Sequence, residues 1–204
     1  MNTLDVRIFG IEERMENILT LNNHLPGVTV VIDKNHDGII PTSKKTWLIP
    51  TESTHVMVLN DDVLLCNDFY NICVTMINTH PKSIFTLFSF PYMDGSRINR
   101  CGGYPKKTPY VEVKSVGGAG IIMPREYIEP CISSWKPDAK HDDTSICEWA
   151  ITNKIQILTP IPAILQHLPM PSTVGHPQMQ TKIFEEFPVA DWSCGFVLNE
   201  SNVK

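Results

Sequence analysis

Apolar residues fall in short blocks along the chain, and in the first half their spacing alternates between strand and helix periods. Leu4 to Phe9 reads as a strand, and Glu12 to Asn23 then sets Ile11, Met15, Ile18, Leu19 and Leu21 near helical spacing with polar residues between them. Val28 to Ile32 is a β-branched run that predicts a strand buried on both faces of a parallel sheet, and His55 to Leu59 is a third apolar strand. Ser43 to Leu48 predicts a short helix. Asn67 to Thr79 predicts a longer one, with Asn67 or Asp68 as its cap and Pro81 just beyond its end. Ser83 to Phe90 is another strand.

The second half is less regular. Pro91 to Pro109 reads as a long surface loop, and Tyr110 to Val116 and Ala119 to Met123 as strands separated by Gly117-Gly118. Arg125 to Ser134 and Asp142 to Thr152 carry helical patterns, and Ile155 to Leu158 and Ala163 to Gln166 are short strands. The βαβ order predicts an α/β sheet with helices on both faces. There is no internal repeat. One domain is expected over residues 1–175, followed by a Pro- and Gly-containing tail, 176–204, that wraps the surface.

Composition narrows the class. Of 204 residues, 42% are hydrophobic and 19% charged, which is the balance of a globular chain with a sizeable core. Apolar runs fall far short of the roughly 20 residues that span a bilayer, and the N-terminus runs directly into a strand without a signal-like segment. A cytoplasmic location is the expectation. The cysteines are scattered without CxxC spacing, which argues against a structural zinc site or a disulfide framework. The formal charge of -5 argues against a general nucleic-acid binder, although Arg97, Arg100, Lys106 and Lys107 leave a locally held nucleic acid open.

The strongest chemical signal is Val56-Met57-Val58-Leu59-Asn60-Asp61-Asp62-Val63. It sets acids at the carboxyl end of a buried strand, where open α/β sheets hold ligands. Adjacent carboxylates repel each other, and a divalent cation shared with substrate phosphates stabilises them. Asn and Asp are also ordinary turn residues, so a simple strand cap is the other reading of the same letters.

The string resembles the DxD region of glycosyltransferase-A enzymes, which closes a central strand and binds metal and nucleotide-sugar diphosphate. Asn60 stands where that pattern has its first Asp. The resemblance implies a single-domain glycosyltransferase-A fold, a Rossmann-like mixed sheet flanked by helices. It implies that Asp62 holds manganese or magnesium and that Asn60 and Asp61 lie near the nucleotide. Phe9, Gly10 and Asp33, at the ends of the first two strands, would hold the nucleoside, with a uridine diphosphate donor favoured. Gly117, Gly118 and Ala119 match the glycine-containing loop that lines the donor-sugar and acceptor pocket.

His141-Asp142-Asp143 at a helix start resembles the acidic motif of inverting transferases, with Asp142 in place of the usual Glu. That match implies Asp143 as the general base and Asp142 as a contact to sugar or acceptor; an N-cap is the plainer reading. His167, just past a late strand, resembles a C-terminal metal-binding His, and Ser172 follows in a loop suited to phosphate.

The implied activity is transfer of a sugar from a nucleotide-diphosphate sugar to a hydroxyl of a glycan or another acceptor, with inversion. Two alternatives stand beside it. One is a nucleotidyltransferase of related fold, against which the acidic Gly10-Ile11-Glu12-Glu13-Arg14 loop counts. The other is a non-catalytic nucleotide-sugar- or carbohydrate-binding relic.

Overall fold

The structure, a computed structural model, describes residues 1–88, 109–170, 180–181, 184–195 and 197–199. Its centre is an eight-stranded mixed sheet in the order β10-β6-β8-β5-β7-β3-β1-β2. The strands are β1 (Leu4–Gly10), β2 (Thr29–Ile32), β3 (His55–Asn60), β5 (Ile84–Thr86), β6 (Tyr110–Glu112), β7 (Gly120–Pro124), β8 (Ile157–Pro160) and β10 (Val197–Asn199). β1 runs parallel to β2 and β3, whereas β7 is antiparallel to both β3 and β5. A separate two-stranded ribbon joins β4 (Val63–Leu65) to β9 (Leu165–His167).

The continuous apolar run of β3 serves two faces at once. Met57 and Leu59 join the core packed with α1 (Met15–His24) and α3 (Phe69–Thr79), through Ile18, Leu21, Cys73 and Met76. Val56 and Val58 point to the opposite core, formed with α2 (Ile39–Trp47), α4 (Arg125–Ser133) and α5 (Asp142–Thr152). Trp47, Ile128, Ile132, Ile146 and Ala150 line that side. The period of two in a strand sorts the residues, which is why the run reads as uninterrupted hydrophobicity. Helices cover both faces as expected.

Several boundaries differ from the sequence reading for identifiable reasons. α2 begins at Ile39, four residues before the expected Ser43. Pro41 sits in its first turn, where a missing N–H costs nothing, so the proline did not mark a loop. Gly38, with φ of 97°, makes the left-handed entry that other residues adopt only with strain. Asp33 closes this turn by accepting the N–H groups of Asp37 and Gly38 at 2.9 and 3.0 Å. The tail does more than wrap the surface: it adds β10 to the sheet edge, parallel to β6, and buries Trp192 in the core. The Trp192 carbonyl accepts the Tyr110 hydroxyl at 2.5 Å.

Arg7 fixes α2 to β1. It is fully buried, and its guanidinium donates to the carbonyls of Thr46, Trp47 and Ile49 at 2.6, 2.8 and 2.7 Å and to the Asp5 carboxylate at 2.7 Å. A cation there satisfies the orphan carbonyls at the helix C-terminus.

Candidate active site

The carboxyl ends of β1 and β3 lie side by side, with Phe9 opposite Asn60 in the register. Asp61 and Asp62 form the link from β3 to β4. Both are buried, and both accept from Arg14, which ends the short 3-10 turn Glu12–Arg14 after β1. The Arg14 Nη1 group lies 2.9 Å from Asp61 Oδ1 and 2.8 Å from Asp62 Oδ2. Asp61 Oδ2 also accepts the Ile11 N–H at 3.1 Å. Burial pushes the Asp61 carboxyl above its ordinary value, and the Arg14 and Ile11 hydrogen bonds pull it part of the way back.

Gly10 is required by this packing. A Cβ built on it would lie 2.2 Å from Asp61 Oδ2, so the close approach at Gly10 is made by the Asp61 carboxylate. Both oxygens of Asp61 are thus spent on protein donors. Asp33, expected beside the nucleoside, joins the end of β2 to β1 through its N–H to Gly10 O at 2.8 Å. Burial tends to raise its carboxyl, but the Asp37 and Gly38 N–H groups outweigh that and hold it below its ordinary value.

The other oxygen of Asp62 is different. Asp62 is only 6% exposed, yet its Oδ1 is buried without a hydrogen-bond partner. Facing it at 3.6 Å is Nε2 of His167. Strand register makes this meeting: β4 and β9 are antiparallel with Val63 opposite His167, and the Leu168 N–H donates to Asp62 O at 2.8 Å. His167 Nδ1 lies 3.1 Å from the Leu168 carbonyl. A carbonyl only accepts, so this contact is made with a proton on Nδ1, the tautomer in which Nε2 can ligate a metal.

A carboxylate oxygen and an imidazole nitrogen suit a divalent metal. An unpaired buried oxygen costs free energy unless something fills its place. These two atoms therefore fit the manganese or magnesium ion expected at the acid turn. Among the described residues no group of three or more His, Cys, Asp or Glu side chains is gathered for a metal. Asn60 Oδ1 at the same turn is also buried and without a partner, while the Asn60 N–H donates to Ala119 O at 3.1 Å.

That last bond ties the acid turn to the glycine loop before β7. The Gly117 N–H donates to Thr86 Oγ1 at 2.8 Å, and a Cβ on Gly118 would lie 3.4 Å from Asp143 Oδ2. The structure thus brings Gly117, Gly118 and Ala119 between Asn60 and Asp143. Asp143 Oδ1 accepts the Thr144 N–H at 2.6 Å, which leaves Oδ2 turned toward the loop.

Asp142 has a separate setting. It is buried, accepts the Ser43 hydroxyl of α2 at 2.6 Å and the Asp143 N–H at 2.8 Å, and burial pushes its carboxyl up to about 6. Ser172 lies outside the described residues. The buried thiols of Cys66 and Cys131 are no candidates for nucleophiles, since burial pushes them up to about 12 and about 11.

Sequence reasoning missed two parts of this site. Arg14 appeared only as a basic residue in an acidic loop, and nothing local directs it to acids 47 and 48 positions later. Ser43 was placed in a short helix with no sign of its bond to Asp142.

A mixed sheet with helices on both faces and an acid turn at the carboxyl end of a central strand defines a glycosyltransferase-A fold. Solved structures agree. The chain is similar to A197 from STIV, with a TM-score of 0.50 and 13% identity over 80% of this chain and 85% of that one. It is similar as well to GalNAc-T7, solved with UDP, GalNAc and Mn2+, with a TM-score of 0.51 and 10% identity over 85% of this chain. The match spans 45% of GalNAc-T7, a larger protein. At such identity the likeness is one of fold. No protein-family model matches the chain, and no curated protein matches it in sequence. Among the described residues no helix is long and apolar enough to cross a membrane.

Proposed function

We propose that the chain is a metal-dependent glycosyltransferase. It moves a sugar from a nucleoside diphosphate sugar, uridine-type favoured, to a hydroxyl of a glycan or another acceptor. The observation that supports this most is the buried, unpaired Asp62 Oδ1 facing His167 Nε2 at 3.6 Å. GalNAc-T7, similar in fold, was solved with UDP, GalNAc and Mn2+, the combination of nucleotide, sugar and metal that this reading calls for.

Asp62 and His167 would hold the metal, which when bound would supply positive charge to offset that developing on the leaving nucleoside diphosphate. Asn60 Oδ1 accepts a hydroxyl of the ribose, which satisfies an otherwise orphaned buried acceptor. Asp61 acts through its carboxylate, joining the turn after β1 to the acid turn by accepting the Ile11 N–H and the Arg14 guanidinium.

The donor sugar lies along Gly117, Gly118 and Ala119. Asp143 Oδ2 takes the proton of the acceptor hydroxyl as its oxygen bonds to the anomeric carbon. The bond from that carbon to the diphosphate breaks, the electron pair leaves with the phosphate, and the centre inverts. Asp142 positions this base by fixing the first turn of α5 to Ser43. Titration calorimetry with uridine diphosphate, with and without manganese, tests the reading on the wild type and Asp62→Ala. Binding that needs both metal and Asp62 supports it; equal binding in all four experiments overturns the metal assignment.

A further inference from the structure

The acid turn already contains a cation. Arg14 bridges the two carboxylates through one nitrogen, at 2.9 Å from Asp61 and 2.8 Å from Asp62. Two carboxylates and one guanidinium leave a net charge of about -1 beside Asp62 Oδ1, which has no hydrogen-bond partner. Without the guanidinium it would be about -2. A divalent ion at Asp62 Oδ1 therefore meets a fixed positive charge on the opposite oxygen of the same carboxylate, in a buried setting where repulsion is poorly screened. Among the described residues it finds one carboxylate oxygen and one imidazole for itself.

We propose that Arg14 is a resident counter-cation that makes metal binding conditional on the nucleoside diphosphate. Resting on the donor-site reading above, it assigns Arg14 a role in selecting the metal–diphosphate complex over free metal. The diphosphate adds negative charge and several oxygens, supplying both what the site lacks in charge and what it lacks in ligands. Coupling of this kind is reciprocal, so metal raises diphosphate affinity by the factor that diphosphate raises metal affinity. Arg14 keeps the two acids folded and paired when the site is empty, at the expense of affinity for the bare ion.

The test is a manganese titration followed by the electron paramagnetic resonance signal of free Mn2+, with and without uridine diphosphate. Four proteins are compared: the wild type, Arg14→Met, Asp61→Asn, and the double variant Arg14→Met/Asp61→Asn. The wild type binds Mn2+ alone weakly and at least about a hundredfold more tightly with the diphosphate. Arg14→Met tightens binding of the bare ion about tenfold or more and shrinks the coupling in proportion.

Asp61→Asn removes one negative charge while keeping one acceptor oxygen, enough for either the Ile11 N–H or the guanidinium, and should weaken bare-ion binding by a similar factor. The double variant, with one charge of each sign removed, returns to the wild-type value. If Arg14→Met does not fold, Arg14→Gln, which keeps a donor for the carboxylates without the charge, takes its place and should tighten bare-ion binding in the same direction. Bare-ion affinity unchanged in both single variants, with coupling intact in the wild type, overturns the role of Arg14 alone. Absence of Mn2+ binding to the wild type even with diphosphate brings down the donor-site reading and this proposal together.

Discussion

Replacing Gly10 with alanine tests the packing that shapes the site. The added methyl would sit 2.2 Å from Asp61 Oδ2 and 2.6 Å from Asp61 Cβ and Cγ. Ordinary contact requires the carboxylate to retreat by about 1 Å, given that interiors pack without spare volume. A movement of that size stretches the 3.1 Å bond from the Ile11 N–H and the 2.9 Å bond from Arg14. Losing a hydrogen bond to a charged group costs about 1.5–3 kcal/mol, and overpacking adds about 1–3 kcal/mol. The expected loss is about 4 kcal/mol, a large share of the roughly 5–15 kcal/mol that stabilises an ordinary domain. Urea unfolding should show a lower midpoint with an unchanged slope.

The partner can be checked in the same series. Asp61→Gly removes the three atoms nearest the new methyl, whereas Asp61→Ala leaves the Cβ that lies at 2.6 Å. Gly10→Ala should therefore cost at least about 2 kcal/mol less in the Asp61→Gly background, and be only partly relieved by Asp61→Ala. A midpoint for Gly10→Ala equal to the wild type, or a cost independent of Asp61, would refute the close-approach account.

Other predictions follow from particular side chains. Arg7→Met leaves three carbonyls at the end of α2 without their donor and should cost about 3–5 kcal/mol, read as a fall in urea midpoint; a loss under about 1 kcal/mol would contradict the latch. Asp142 titrates near 6 in the folded chain, above its unfolded value, so the folded state is favoured below pH 4 and loses that advantage as pH rises through 6. Asp142→Asn should thus gain about 1–3 kcal/mol at pH 8 relative to its effect at pH 4, measured by thermal unfolding at both values; an equal effect at the two would contradict it. Asp143→Asn retains an oxygen for the Thr144 N–H and should bind uridine diphosphate normally while turnover drops about 100-fold or more, whereas unchanged turnover removes Asp143 as the base.

The legible parts of the fold are those written in local pattern. β3 stood out because four consecutive apolar residues serve two cores, and α5 because His141-Asp142-Asp143 sets polar residues and acids at a helix start. Short elements held by distant partners were less legible. β4 has three residues and exists because it pairs with β9, which lies at the end of the strand expected from Ala163 to Gln166, and β10 rests on β6.

The same distinction runs through the site. Asp62 and His167 could be chosen by residue type, but their 3.6 Å approach depends on the β4–β9 register, and a one-residue slip would turn His167 to the other face. Gly10 could be read as a point of close approach, but not that Asp61 would be what approaches it. Arg14 was hidden for the same reason: its charge is visible in the sequence, and its partners are fixed only by the fold.

The most direct test of the donor site is a crystal structure with Mn2+ and uridine diphosphate, with anomalous data collected at the manganese edge. The account predicts a single strong peak within bonding distance of Asp62 Oδ1, His167 Nε2 and a phosphate oxygen. A peak elsewhere, or bound nucleotide with no manganese at Asp62, would contradict it.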